Sequence, residues 1–288
     1  WNYIFDHILK SKAMKRYNLL LLFVGIMTVL FSCDIVEEPF MNQIVQPPDT
    51  DEVVQRVLLE EFTGHQCPNC PAGAQIASQL GDLYGKQFIV IAYHVGFFAN
   101  TNSNFPVNYK TQTGEEIKDH FGVISYPSGL VNRKNGEVLG STEWASVVAE
   151  QASATPKLKL KINREYNSTS RVLSVTANLT ALETMESVNV CVFLTESGLV
   201  SPQKTKDDPD YPEGIIPNYN HKHVFRASMN GTWGSTVFAD GAHPEDTATV
   251  NAEYTINSDW NAENMSIVCF AYSTTSGEIV QVEEVDVK

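Results

Sequence analysis

The chain has 288 residues, enough for one or two domains. Hydrophobic residues make up 43% and charged residues 19%, which supplies packed cores and excludes a disordered chain. Acidic side chains outnumber basic ones 34 to 20, for a formal charge of −14, which excludes the basic footprint of a nucleic-acid binder, and five cysteines are too few for a small disulfide scaffold.

The first element is an address. Met14-Lys15-Arg16 precedes the apolar run Leu19–Phe31, LLLLFVGIMTVLF. That length suits a secretory h-region and falls short of the ~20 residues that span a bilayer. Met14 is expected as the start, with residues 1–13 as upstream translation and residues 1–32 as the removable leader. The run ends in Ser32-Cys33, which resembles the lipobox of bacterial lipoproteins. The resemblance implies cleavage before Cys33, lipidation of its thiol (palmitate among the chains) and anchoring without a spanning helix. The alternative is a leftover cysteine in an ordinary signal peptide. Residues 33–52, with Asp34-Ile35-Val36-Glu37-Glu38-Pro39, form an acidic, proline-containing tether. Export puts the folded part where disulfides persist.

The first folded segment is expected over residues 53–154. Val53–Phe62 is β-rich and is followed by Thr63-Gly64 and then by His65-Gln66-Cys67-Pro68-Asn69-Cys70-Pro71. Ala74, Ile76, Ala77, Leu80 and Leu83 recur at helical spacing, so a C-x-x-C lies where a strand turns into a helix. Gln87–His94, QFIVIAYH, suits a buried parallel strand. Asn135-Gly136 predicts a hairpin turn, and Glu143–Ala152 a closing helix. A cysteine at a helix N-terminus lies near unpaired N–H groups, which favour its thiolate. Cys67 is therefore expected to be the exposed nucleophile and Cys70 the resolving thiol. Pro68, lacking an N–H, suits the first helical turn. His65, if protonated, would stabilise the thiolate.

This element order, with Phe121-Gly122-Val123-Ile124-Ser125-Tyr126-Pro127 ahead of the hairpin, resembles the thioredoxin fold. The resemblance implies that Pro127 is the cis-proline and that Tyr126 offers backbone groups to a substrate chain. It also implies that Glu61, six residues before Cys67, is the buried acid that exchanges a proton with Cys70. Gln66 replaces the family's tryptophan, and Tyr126 its usual aliphatic residue. The C-x-x-C also reads as half of a zinc site, with His65, His94, His120, His221 or His223 to complete it, or as an inert disulfide. No metal or other cofactor is expected.

The second folded segment is expected over residues 156–288. Lys157–Glu165, Arg171–Thr180, Ser187–Glu196, His223–Met229, Thr247–Ile256, Met265–Ser273 and Glu278–Val287 read as strands. They suggest an immunoglobulin-like β-sandwich, so the fold class expected for the chain is an α/β thioredoxin-like domain followed by an all-β one. The connection at 197–222 is long for a structureless loop and carries Asp207, Asp208 and Asp210, an acidic turn matching no calcium loop. Cys191 and Cys269, both mid-strand, read either as a disulfide or as two small buried side chains.

The lipobox, the LLEEFTGHQCPNCP opening, the Tyr126-Pro127 strand and the His221-Lys222-His223-Val224-Phe225-Arg226 segment resemble the outer membrane protein 28-related lipoproteins. That implies an outer-membrane lipoprotein, periplasmic or surface-facing, with no activity to carry over; no catalytic role is assigned to His221, His223 or Arg226. Two functions follow. One is thiol–disulfide exchange on exported proteins or small thiols, with an unidentified membrane redox partner. The other is a non-catalytic surface binding or adhesion lipoprotein in which the C-x-x-C is a staple; Asp246-Thr247-Ala248, resembling an O-glycosylation acceptor, accords with an exposed site.

Overall fold

The computed structural model describes residues 53–288. The leader, Cys33 and the acidic tether lie outside the described residues. The first segment runs β1 (Val57–Thr63), α1 (Cys70–Tyr84), β2 (Phe88–His94), α2 (Gln112–His120), β3 (Ser128–Val131), β4 (Leu139–Gly140) and α3 (Trp144–Ala152). The second is made of strands: β5 (Leu158–Tyr166), β6 (Val172–Ala181), β7 (Val188–Glu196), β8 (Leu199–Lys204), β9 (Ile215–His221), β10 (Val224–Ser228), β11 (Ser235–Val237), β12 (Thr247–Thr255), β13 (Met265–Ser273) and β14 (Ile279–Asp286). The described chain is mostly β-sheet with few helices.

β1 and β2 are buried along their whole length and run parallel, with Val57 opposite Phe88 and Thr63 opposite His94. Such apolar strands need cover on both faces, and alternation of their side chains supplies two different cores. Val57, Leu59, Phe88 and Val90 meet Ala77 and Leu80 of α1 and Trp144 and Val148 of α3. Leu58, Phe62, Ile89 and Ile91 meet Phe193, Phe225, Val268 and Phe270 from the second segment.

That second core shows why the two segments are not separate sheets. One nine-stranded sheet runs β14-β13-β7-β10-β2-β1-β3-β4, with β11 also pairing with β7. The junction is narrow: β10 lies parallel to β2 at Val224 opposite Ala92, and the Ala92 N–H donates to the His223 carbonyl at 2.8 Å. A three-stranded sheet, β12-β6-β5, covers the other face of β7 and β13 through Leu160, Leu173 and Val175 against Val190, Val192 and Ile267.

A buried ion pair reinforces the shared core. Arg133 Nε and Nη2 donate to Glu60, at 2.6 and 2.8 Å, and the Tyr93 hydroxyl donates to Glu60 at 3.0 Å. The guanidinium lies over the rings of Phe121, Phe270 and Tyr272 at 5.0–5.3 Å. Burial opposes the Arg133 charge, but the Glu60 carboxylate overrides it and raises the pKa above the ordinary value.

Several expectations change. α2 has no counterpart in the sequence reading because only Gly114 and Ile117 are buried; its start is fixed by Thr111, whose Oγ1 accepts from the Gly114 N–H at 3.1 Å. The Asn135-Gly136 turn is longer than two residues, because Arg133 and Asn135 also take positive φ, near 51° and 53°. The 197–222 connection is mostly a two-stranded hairpin of β8 and β9. Cys191 and Cys269 are free and buried. Cys191 pairs across the ladder with Phe270, and Cys269 with Val192. Alternation then sends Cys191 into the core shared with β1 and β2, and Cys269 into the core under the three-stranded sheet. On opposite faces they cannot bridge.

Candidate functional site

Cys67 and Cys70 form a disulfide, with their Cα atoms 5.4 Å apart. Cys70 is the first residue of α1 and Asn69 its N-cap, so Cys67 stands in the turn before the helix. Pro71, not Pro68, occupies the first helical turn; Pro68 lies in the turn itself. Cys70, Gly73, Ala77 and Leu80 make the face of α1 that packs on the sheet.

Gly73 brings the candidate residues together. A Cβ placed there would lie 2.8 Å from Pro127 Cβ and 3.5 Å from Glu61 Oε1. The Tyr126–Pro127 bond is cis, and Tyr126 packs edge-on against Phe98 with ring centroids 5.8 Å apart. Glu60 and Glu61 are consecutive, so they face opposite sides of the sheet. Glu60 takes Arg133, whereas Glu61 turns toward α1, is 4% exposed and leaves Oε1 without a hydrogen-bond partner. Burial raises the Glu61 pKa to about 8, so the carboxyl is mostly protonated near neutrality.

The sulfur expected to be exposed is covered. Cys67 is 1% and Cys70 2% exposed. The β8–β9 hairpin lies over the C-x-x-C turn: Gln203 Nε2 donates to the Cys67 carbonyl at 3.0 Å, and the Lys204 N–H donates to the His65 carbonyl at 2.7 Å. On another side, the Gln66 N–H donates to the Phe98 carbonyl at 2.9 Å.

His65 does not serve as a cation beside the sulfur. Its ring is fully buried and stacks on Phe105 at 5.3 Å, and its Nε2 meets the Asn100 carbonyl at 2.8 Å. Burial lowers its pKa, opposed only by that hydrogen bond. His94 and His221 join the same cluster, 5.3 Å apart, with Tyr109 at 4.9 and 5.2 Å from their rings. Burial holds His94 well below its ordinary pKa and His221 at about 4. Ser201 of β8 ties the cluster down, 3.0 Å from His221 Nε2 and accepting from the Tyr109 hydroxyl at 3.1 Å. Gln203 and Ser201 carry no sequence signal, since they lie in a hairpin within the 197–222 connection; the sequence offers His94 and His221 as candidate ligands, but their pairing comes from packing β9 against the end of β2.

Among the described residues no group of three or more His, Cys, Asp or Glu is placed to hold a metal ion. The bonded cysteines offer no thiolates to zinc. Asp208 caps its own turn, accepting from the Asp210 N–H at 3.0 Å. Arg226 faces Glu196 at 3.2 Å and lies over Trp260 at 4.6 Å, and His223 holds the β10–β2 junction through its carbonyl. Thr247 is exposed at the start of β12.

The family model described as outer membrane protein Omp28 matches residues 115–288. The chain belongs to the Omp28 family. The protein is accordingly one of the outer membrane. The match takes in Tyr126-Pro127 and the whole second segment and begins after the C-x-x-C, so family membership does not rest on the cysteine pair. No curated protein matches the sequence. Among solved structures the Omp28-family chain resembles HBP35 of Porphyromonas gingivalis, at 15% identity and a TM-score of 0.60 over 82% of this chain and 76% of that one. It also resembles a protein of Agrobacterium tumefaciens, at 10% identity and a TM-score of 0.51 over 82% of this chain and 96% of that one. A domain of the outer membrane lipoprotein Omp28 from Porphyromonas gingivalis is 22% identical over 46% of this chain and 89% of that one, at a TM-score of 0.31. At these identities the first two likenesses bear on the fold alone.

Proposed function

We propose that the protein is an exported lipoprotein, held at the outer membrane through lipid on Cys33, whose 53–154 segment is thioredoxin-like and exchanges disulfides through Cys67 and Cys70. The observation that carries this is the packing at Gly73, where the turn of α1 that begins at Cys70 meets both Pro127 and the unpartnered acid Glu61. A neutral carboxyl beside a disulfide can protonate a leaving thiolate and take the proton back, which is the chemistry exchange requires. The 156–288 segment reads as an immunoglobulin-like sandwich whose larger sheet is shared with the first segment.

The second reading is a non-catalytic surface binding lipoprotein in which the disulfide is a staple. The burial of both sulfurs favours it. Insulin reduction and refolding of a scrambled disulfide substrate separate the two. Exchange predicts activity that Cys67→Ser abolishes, and mixed disulfides that accumulate on Cys67 or Cys70 when the other is replaced by serine. Equal rates with and without Cys67, and no adducts, leave the staple. Palmitate labelling that disappears in Cys33→Ala tests the anchor.

A further inference from the structure

A cavity of about 550 Å3 lies between α1 and the end of β9. Ala77 and Ser78 of α1, Tyr219 and Lys222, and Phe88 and Val90 of β2 line it, and neither cysteine does. That volume is in the range of binding sites. Glu61 also lines it. Its Oε1 is buried and has no hydrogen-bond partner in the protein, so it is a polar atom left for whatever occupies the space.

The edge of β2 indicates the kind of occupant. β1 pairs along one edge of β2 over its whole length, from Phe88 to His94. On the other edge β10 pairs at a single residue, Ala92, whose N–H donates to the His223 carbonyl at 2.8 Å. Backbone groups along a strand point to alternate edges, so the N–H and C=O of Val90 face the same way as those of Ala92. β10 does not extend back to meet them. The chain turns at His223, which takes a positive φ of 54° and gives its N–H to Ser197 Oγ at 2.9 Å. No other strand among the described residues pairs with β2 on that side. An unpaired strand edge is a template for another strand, and Val90, only 5% exposed, presents this one inside the cavity rather than to bulk water.

Charge narrows the choice further. Asp82, Lys222 and Glu284 also line the cavity, two carboxylates against one ammonium. Burial raises the Glu61 pKa to about 8 and lowers that of His223, another lining residue, to about 4, so both are largely neutral near neutrality. Burial also raises the Glu284 pKa, a cost that a cation beside its carboxylate would relieve. The chain as a whole carries a formal charge of −14.

We infer that the cavity receives an extended polypeptide segment of a basic partner protein, which adds as a strand to the open edge of β2 at Val90. Its C=O accepts from the Val90 N–H and its N–H donates to the Val90 C=O, in the manner of strand addition. Its apolar side chains lie on Ala77 and Phe88, and a lysine or arginine meets Glu284. The site is separate from the cysteines, so it stands whether the disulfide exchanges or is a staple.

The test is selection from a library of short random peptides displayed on phage, against the full chain and against Ser78→Trp. Ser78 is exposed, so the tryptophan fills the cavity and leaves the buried face of α1 alone. The expected result is a set of sequences that alternate β-branched with basic residues and that the native chain retains at least tenfold better than the variant. With a selected peptide made synthetically, amide exchange at Val90 should slow. Methylating a peptide nitrogen that faces β2 should cost about tenfold in affinity, and methylating its neighbour much less. Replacing the basic residue with glutamate should cost a similar factor, and Asp82→Asn with Glu284→Gln should close that gap. No sequence that separates the native chain from Ser78→Trp, affinity indifferent to methylation at every nitrogen, or unchanged exchange at Val90 overturns the inference. Self-association of the chain that Ser78→Trp abolishes and no peptide displaces overturns it in favour of a second copy. None of these outcomes touches the exchange reading, which insulin reduction decides.

Discussion

The side-chain amide of Gln203 donates to the backbone carbonyl of Cys67 at 3.0 Å, joining strand β8 to the C-x-x-C turn across 136 residues of sequence. The bond makes the hairpin a cover for the disulfide, and it is backed by Lys204 on His65 and by Ser201 on His221 and Tyr109. The hairpin therefore helps to keep both sulfurs out of solvent, at 1% and 2% exposure.

Replacing Gln203 with leucine removes that donor and leaves the Cys67 carbonyl buried without it. The expected cost is about 1–3 kcal/mol of stability, the desolvation penalty of one unpaired group. Reduction by dithiothreitol should become faster in the same variant. A lowered melting temperature with an unchanged reduction rate would mean that the hairpin does not guard the sulfurs.

Glu60 and Arg133 are 0% and 1% exposed. Arg133→Met strands the Glu60 charge in the core and should destabilise by about 3–5 kcal/mol. The double variant Glu60→Leu, Arg133→Met removes both charges and should recover much of that loss. Urea unfolding of the two variants checks the order, and a double variant worse than the single would refute it.

Stability should fall on both sides of a maximum, for opposite reasons. His221 drops from 6.5 to about 4 on folding, so between these values the unfolded chain binds the proton and the native one does not. Its contribution is present above pH 6.5 and is lost as the pH falls toward 4. Glu61 rises from 4.5 to about 8, so there the native state holds the extra proton. Its contribution is present in acid and is lost as the pH climbs from 4.5 through 8. Glu61→Gln should flatten the alkaline limb and His221→Gln the acid limb, read as urea midpoints across pH. Limbs unchanged by either substitution would assign the dependence to other groups.

The thiol inventory follows from the strand register. Cys191 and Cys269 are free, and burial pushes both thiols upward, Cys191 to about 12. Native protein with the Cys33 thiol lipidated should resist Ellman's reagent. In guanidinium without reductant both should titrate, and after reduction Cys67 and Cys70 should join them. A Cys191–Cys269 peptide in a non-reducing digest would contradict the register.

Much of this protein was fixed by patterns within a few residues. Alternation marked β5, β6, β7, β10, β12, β13 and β14, the apolar run marked β2, and the spacing after Cys70 marked α1, because burying one face imposes its period on the local sequence. The cysteine pair before the helix was legible for the same reason. Which faces meet is a different matter, since it depends on partners far along the chain. The spacing to Cys67 picked out Glu61 through the resemblance, but no local pattern shows that Glu60 meets Arg133 while Glu61 Oε1 is left without a partner under α1. The pairing of Val224 with Ala92, which makes one sheet of two segments, rests on a single residue contact. β8 carries no hydrophobic signal because the side chains it buries at alternate positions, Ser201 and Gln203, are polar and cover a turn rather than build a core. The cysteine pair was written in the sequence, and its burial was decided by a hairpin that only the fold brings there.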